Sequence, residues 1–298
     1  MQYSPGRTGP IPAPKGLSFP ALPRPRLGSF FGNRSNLAGF IILAPIVVLA
    51  FAAPYLPIAD PLKPNVINSF SAPSLAHPFG TDKLGREIFS RTLAGLRVSL
   101  IVGFCAAGIA LANGLVIGTV AGFMGKAVDT AVSAIVDVLL AFPSLLLVIG
   151  VVSVFGPGIP QVITAIAVAD TPRAIRLQRA LTMGLRSRTY MDAARMSNAS
   201  TFWMLRRHVL PNTIAPMVVV ASMYASNAIL AEAALSFLGL GITPPQPSLG
   251  NLISEGRPYL QNAWWISTIP GLAIAVVSIS LHLFSDGIRE HLDPRLRV

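Results

Sequence analysis

Charge and cysteine are what this chain has least of. Only 12% of its 298 residues are charged, against roughly 25% in an ordinary soluble domain. The single cysteine, Cys105, rules out an internal disulfide and a cysteine-based metal site. Its place in an apolar run reads as small-residue packing. The four histidines, His77, His208, His282 and His291, are scattered without metal-ligand spacing. No nucleotide site is visible. In "GFMGKA", residues 122–127, the glycine that a phosphate-binding loop needs six residues before Lys126 is Val120, and Ala127 stands at the Ser/Thr position.

What is present is apolar. Hydrophobic residues make up 52% of the chain and the mean hydropathy is +0.62. The charges sit between long oily runs, which places the chain among membrane proteins. The net charge of +11 does not point to nucleic acid, because no basic face is interleaved with aromatics. Such charge sets topology and meets anionic lipid. Residues 1–36 form a Pro- and Gly-rich basic tail with Arg7, Lys15, Arg24, Arg26 and Arg34. The tail is expected to be disordered and cytoplasmic. It lacks the apolar stretch of a secretory signal.

Runs long enough to cross a bilayer predict six helices, at about 37–56, 98–124, 130–155, 161–181, 212–238 and 263–285. The third contains Asp137 and the fifth Glu232. The fourth carries Asp170, Arg173, Arg176 and Arg179 in its second half. Six spans put both ends on one side. Arginines crowd the stretch between the fourth and fifth spans, and Arg289, Arg295 and Arg297 crowd the C-terminus, so these regions are expected in the cytoplasm. The segment 57–97 dissents, being external in this topology yet carrying Lys63, Lys83, Arg86, Arg91 and Arg97. Small residues such as Gly103, Ala106, Gly114, Gly118 and Gly122 let helices approach closely and argue for a packed bundle. Gly114 and Gly118 fit GxxxG, a weak indication of a dimer face.

Between the fourth and fifth spans lies "YMDAARMSNASTFWMLRRHVLPN", residues 190–212. It is too polar to span and too rich in Met, Phe, Trp and Leu for a solvated loop. Thr189 to Asp192 fits a capping box, predicting a short helix there. A second helix is expected from Ser200 to a boundary at Pro211. Trp203 with Arg207, and Phe202 with Arg206, lie four apart on it. Two readings stay open: an interfacial helix resting on lipid, or a helix that docks in a partner's groove.

Here the sequence resembles the permease subunits of bacterial ABC importers. Their EAA loop reads Glu-Ala-Ala, three residues, Gly, eleven residues, Leu-Pro. Asp192, Ala193, Ala194, Asn198, Leu210 and Pro211 stand at those positions. Asp replaces Glu and keeps the charge. Asn198 replaces the glycine, and asparagine tolerates the left-handed conformation better than most residues. "HPFGTDKLGREIFSRTLAGLRVSL" (77–100), "DVLLAFPSLLL" (137–147), "AEAALSFLGLGITPPQPSLGNLISEGR" (231–257) and the closing "WW…PG…DGIREHLDPR" are similar to the C-type permease of the dipeptide, oligopeptide and nickel branch.

The resemblance implies an all-α membrane protein with the type I importer permease fold. It implies a bacterial cytoplasmic (inner) membrane location and a homologous B-type permease partner. Two ATP-binding subunits, which hold ATP and Mg, and an extracytoplasmic solute-binding protein complete the assembly; this chain binds no cofactor and is not an enzyme. The coupling residues carried over are Asp192, Ala193, Ala194, Asn198, Trp203, Leu210 and Pro211. The cargo expected is a di- or oligopeptide or a similar small solute.

Asp137 and Glu232 are candidates for the pathway or a gate, since intramembrane charges usually face a cavity or partner. A structural hydrogen bond or a membrane-edge position serves as well. The stretches 242–250 and 80–87 are either gate contacts or plain connections. Arg173, Arg176 and Arg179 read mainly as headgroup anchors. An ion-gradient-driven secondary transporter using Asp137 and Glu232 is the alternative; it would need no ATPase. An intramembrane enzyme would need a nucleophile–base or metal constellation, and none is present.

Overall fold

A computed structural model of the chain describes residues 34–292. The basic tail expected over 1–36 lies outside these residues except for 34–36, which open the first helix; Arg295 and Arg297 lie outside them too. Among the described residues there is no strand, only an isolated bridge between Thr81 and Glu87. The order is α1 (Arg34–Ala52), α2 (Ile88–Met124), α3 (Lys126–Ala141), α4 (Ser144–Phe155), α5 (Ile159–Arg186), α6 (Thr189–Met196), α7 (Thr201–Phe237), α8 (Leu249–Gly256) and α9 (Trp265–Leu292). Two cores hold the bundle. Leu43, Leu100, Ile229, Leu249 and Leu281 join α1, α2, α7, α8 and α9. Val102, Val148, Val162, Ile166 and Leu235 join α2, α4, α5 and α7. Large apolar side chains such as Val48, Ile135, Val154, Leu272 and Ile279 point outward, as a lipid- or partner-facing surface requires.

Among the described residues four helices are long and apolar enough to cross a membrane: Leu37–Tyr55, Ile88–Met124, Thr201–Phe237 and Trp265–Gly287. A fifth span arises if α3 and α4 count together, although they bend by 92°. The single straight third span expected over 130–155 is therefore corrected. Pro143 has no N–H to continue α3, and it holds Phe142 in extended backbone (φ −85°, ψ 136°). The fourth expected span lies within α5, which has 28 residues. Its four central charges keep it out of the apolar set.

α2 begins ten residues before the expected 98. The cause is Arg91. It lies in the first turn, only 2% exposed, where a charge-based reading sees loop. Its guanidinium binds Asp82, and also Glu255 of α8 at 2.9 and 3.3 Å. Arg86 binds Asp82 at 2.7 Å and Glu255 at 3.1 Å. Two of the five dissenting cations of segment 57–97 are thus neutralised by two carboxylates within the fold. The same network pins the loop before α2 to α8. Helix α8 lies between the fifth and sixth expected spans, overlapping the stretch 242–250 only at its first two residues, and it packs Leu249 and Leu252 fully buried. Ser248 caps it, accepting from Asn251 N at 3.2 Å.

The glycine stripe of α2 is used inside the chain rather than as a dimer face. A Cβ on Gly114 would come within 2.6 Å of the Ala174 Cβ. On Gly118 it would come within 2.7 Å of the Ile175 carbonyl, and on Gly122 within 2.7 Å of the Arg179 carbonyl. All three neighbours belong to α5. The chain also takes a π-turn at Gly114–Gly118. Gly118→Leu is expected to lower stability by roughly 1–3 kcal/mol, the usual range for overpacking, read as a lower thermal midpoint in detergent. An unchanged midpoint would show that α2 and α5 are not held this close. Cys105 corrects another expectation: it is exposed on α2 instead of packed within the bundle.

Candidate coupling surface

The stretch 189–212 forms one end of the molecule. α6 starts at Thr189 as expected, but not through a capping box. The N-cap is Arg188, whose side chain makes no cap bond. Asp192 sits in the first turn, where its charge suits the positive helix end. It accepts from Arg195 at 2.8 Å. Asn198 closes the helix with φ +54°, the left-handed turn that the glycine position calls for. Ser200 then caps α7, its hydroxyl accepting from Trp203 N at 3.3 Å.

The expected boundary near Pro211 is a change of helix type and not a break: π-turn up to Val209, α-helix from Leu210, with Pro211 in its first turn. The helix runs through it, because Leu205–Val209 form a π-turn directly ahead. In a regular α-helix the Pro211 ring would press on the carbonyl four residues back; the wider turn relieves that contact. The π-turn also changes which side chains meet. Trp203 lies edge-on against His208 at 5.0 Å, and Tyr190 lies 5.5 Å from the same imidazole. His208 thereby ties α6 to the start of α7, a role that no spacing rule indicates.

Beneath these rings Phe123 of α2, Met191, Met204 and Val209 form a small core with Ala194 packed against it. The two alanines of the motif are thus inequivalent: Ala194 faces inward and Ala193 is exposed. Asp192, Ala193 and Asn198 share the outer side with Met196, 89% exposed, and Phe202, 72% exposed, and Trp203 is about half exposed. Leu210 is half-buried and Pro211 exposed. Met196 was not singled out by sequence; only its exposure identifies it.

Arg173, Arg176 and Arg179 of α5 each meet a carboxylate within the chain. Arg173 binds Asp170 at 3.1 Å. Arg176 lies 3.5 Å from Asp137, both well exposed. Arg179 makes two hydrogen bonds to Asp129, that to Oδ2 at 2.7 Å. Asp137 is therefore one rung of a ladder between α3 and α5. Glu232 is fully buried. It accepts from Ser99 at 2.6 Å and Ser236 at 2.8 Å, and Ser248 adds a third hydroxyl.

Residues 114–298 match the family model described as "Binding-protein-dependent transport system inner membrane component". The chain is 41% identical over 266 residues to a putative peptide transport system permease protein of Brucella suis biovar 1, covering 89% of this chain and 90% of that one. It is 38% identical to the dipeptide transport system permease protein DppC of Alkalihalophilus pseudofirmus, covering 89% and 87%. It is 37% identical to the di/tripeptide transport system permease protein DppC of Pseudomonas aeruginosa, covering 90% and 91%. With this coverage and the helical membrane architecture above, the chain belongs to the binding-protein-dependent transport system inner membrane components, the permeases of ABC importers.

Proposed function

We propose that this chain is the C-type transmembrane subunit of an ATP-driven importer of di- or oligopeptides in a bacterial inner membrane. It forms half of the translocation pathway beside a homologous B-type permease. Six spans, with α3–α4 as a broken span and α5 as the charged one, leave both termini in the cytoplasm. Arg86 and Arg91, neutralised by Asp82 and Glu255, remove much of the charge that opposes this orientation. An extracytoplasmic binding protein delivers cargo, and two ATPase subunits hold ATP and Mg.

One observation carries the coupling role. Met196, Phe202 and Trp203 are exposed on two short helical segments that are themselves fixed by a buried core. An exposed apolar ridge beside Asp192, backed by a buried core, suits the groove of a protein partner. Ion-gradient transport is disfavoured, because Glu232 is sealed among serines and Asp137 is matched by Arg176.

Affinity capture of the tagged chain from native membranes, with mass spectrometry, tests this reading. The wild type is expected to bring down a second permease and the ATPases. The double variant M196E/F202E, altered only on the exposed ridge, should keep the permease and lose at least nine-tenths of the ATPases. Wild-type complexes without any ATPase would sink the proposal.

A further inference from the structure

The proposed import pathway leaves open where cargo meets this subunit at membrane depth. A cavity of about 350 Å³ lies between α4, α5 and α7, lined by Ser144, Asp170, Arg173, Tyr224 and Asn227 with apolar walls such as Val148. Asp170 and Arg173 are the twelfth and fifteenth residues of the 28 in α5. At 1.5 Å per residue they stand about 17–21 Å from its first residue, near the bilayer midplane. Tyr224 and Asn227 sit midway along the Leu210–Phe237 part of α7. Five polar side chains thus converge at the depth where polar groups are most expensive, which is the mark of a site.

The arrangement is selective in its chemistry. Arg173 is 47% exposed on its side chain, and Nη1 spends its one hydrogen bond on Asp170 Oδ1 at 3.1 Å. Among the described residues no partner takes its Nε or Nη2. An arginine fork with open donors matches a carboxylate, which it can bind through two parallel bonds. The second carboxylate oxygen of Asp170 can accept an N–H. The Tyr224 hydroxyl and the Asn227 amide can both donate and accept, as peptide bonds demand. The volume lies at the low end of the roughly 300–1,000 Å³ usual for small-molecule sites, and the half-exposed Arg173 leaves it open on one side. The other large cavity, about 580 Å³ around Ala50, Ser90, Arg97 and Gln246, is mostly apolar and lies at the membrane edge in the proposed topology.

We infer that the Asp170–Arg173–Tyr224–Asn227 cavity is this subunit's half of a cargo site, in which Arg173 holds the free C-terminal carboxylate of a short peptide. The inference rests on the peptide-importer reading above, and its test separates the two. Proteoliposomes carrying the complete importer are given a tripeptide or its C-terminal amide, each pre-loaded on the binding protein. Uptake and ATP hydrolysis are measured together. In the wild type the free acid should enter at least tenfold faster than the amide. Arg173→Gln should slow acid uptake tenfold or more, leave amide uptake within twofold, and keep ATP hydrolysis stimulated by the loaded binding protein. Arg173→Lys, a charge without the fork, should fall between. A variant that slows acid and amide equally makes Arg173 a structural residue and overturns the site. So does a wild type that imports both equally, although the importer reading then survives. A wild-type assembly that moves neither peptide removes the importer reading itself.

Discussion

Arg91→Ala is expected to cost ~3–5 kcal/mol of stability, the range for stripping one partner from a buried ion pair. Arg91 and Asp82 are each 2% exposed, so Asp82 would have to rely on Arg86 at 2.7 Å as its one remaining cation. Glu255 loses two of its three arginine contacts at the same stroke, keeping only Arg86 at 3.1 Å. The first turn of α2 and the helix α8 are 164 residues apart in sequence at this contact, and both are loosened together. Thermal unfolding in detergent and limited proteolysis of segment 57–87 read the effect. The D82A/R91A double variant should lose less than the sum of its singles, since both singles remove the same Arg91–Asp82 contact. A melting point for Arg91→Ala equal to that of Lys63→Ala, an exposed position in the same segment, would refute the account.

The second large effect concerns Glu232. Glu232→Ala should destabilise by about 2–3 kcal/mol, because it leaves buried hydroxyls on Ser99 and Ser236 without their acceptor. It also loosens α8, since Ser248 both caps that helix and meets the carboxylate. Glu232→Gln keeps a carbonyl acceptor and a similar volume, so its stability should stay within about 1 kcal/mol of wild type. Its uptake should stay within twofold. That second result separates a structural clasp from an ion-coupling group: a transporter that moves protons through Glu232 would stop on the glutamine change. Loss of uptake with retained fold in Glu232→Gln would reopen ion coupling.

The parts legible in the sequence were those that depend on one segment alone. Uncharged runs located α1, most of α2, α7 and α9. The Ser200 cap followed from local backbone chemistry, and the Asn198 turn from the resemblance, which places a glycine there. What could not be read depended on distant partners. Arg91 looks like loop until Glu255 is known to face it. α8 has the length and polarity of a connection, and only the close approach permitted by Gly250, whose added Cβ would lie 2.1 Å from the Ala233 carbonyl, reveals that it is packed. The same limit applied to the sites. Asp137 and Glu232 stood out as charges in oily runs, whereas Asp170 and Arg173 were lost among the arginines of α5. Pro211 marked the right place but not the kind of boundary: the chain stays helical there, because the π-turn ahead of it has no signature in residue type.

That π-turn leaves Thr201–Phe237 a single rod of 37 residues, about 55 Å long at 1.5 Å per residue. It begins beside the exposed ridge and ends beside the Glu232 clasp, with no loop between to absorb strain. A displacement of its first turn is carried along one helix and not across a loop, and the π-turn and Pro216 are the points where that helix can bend.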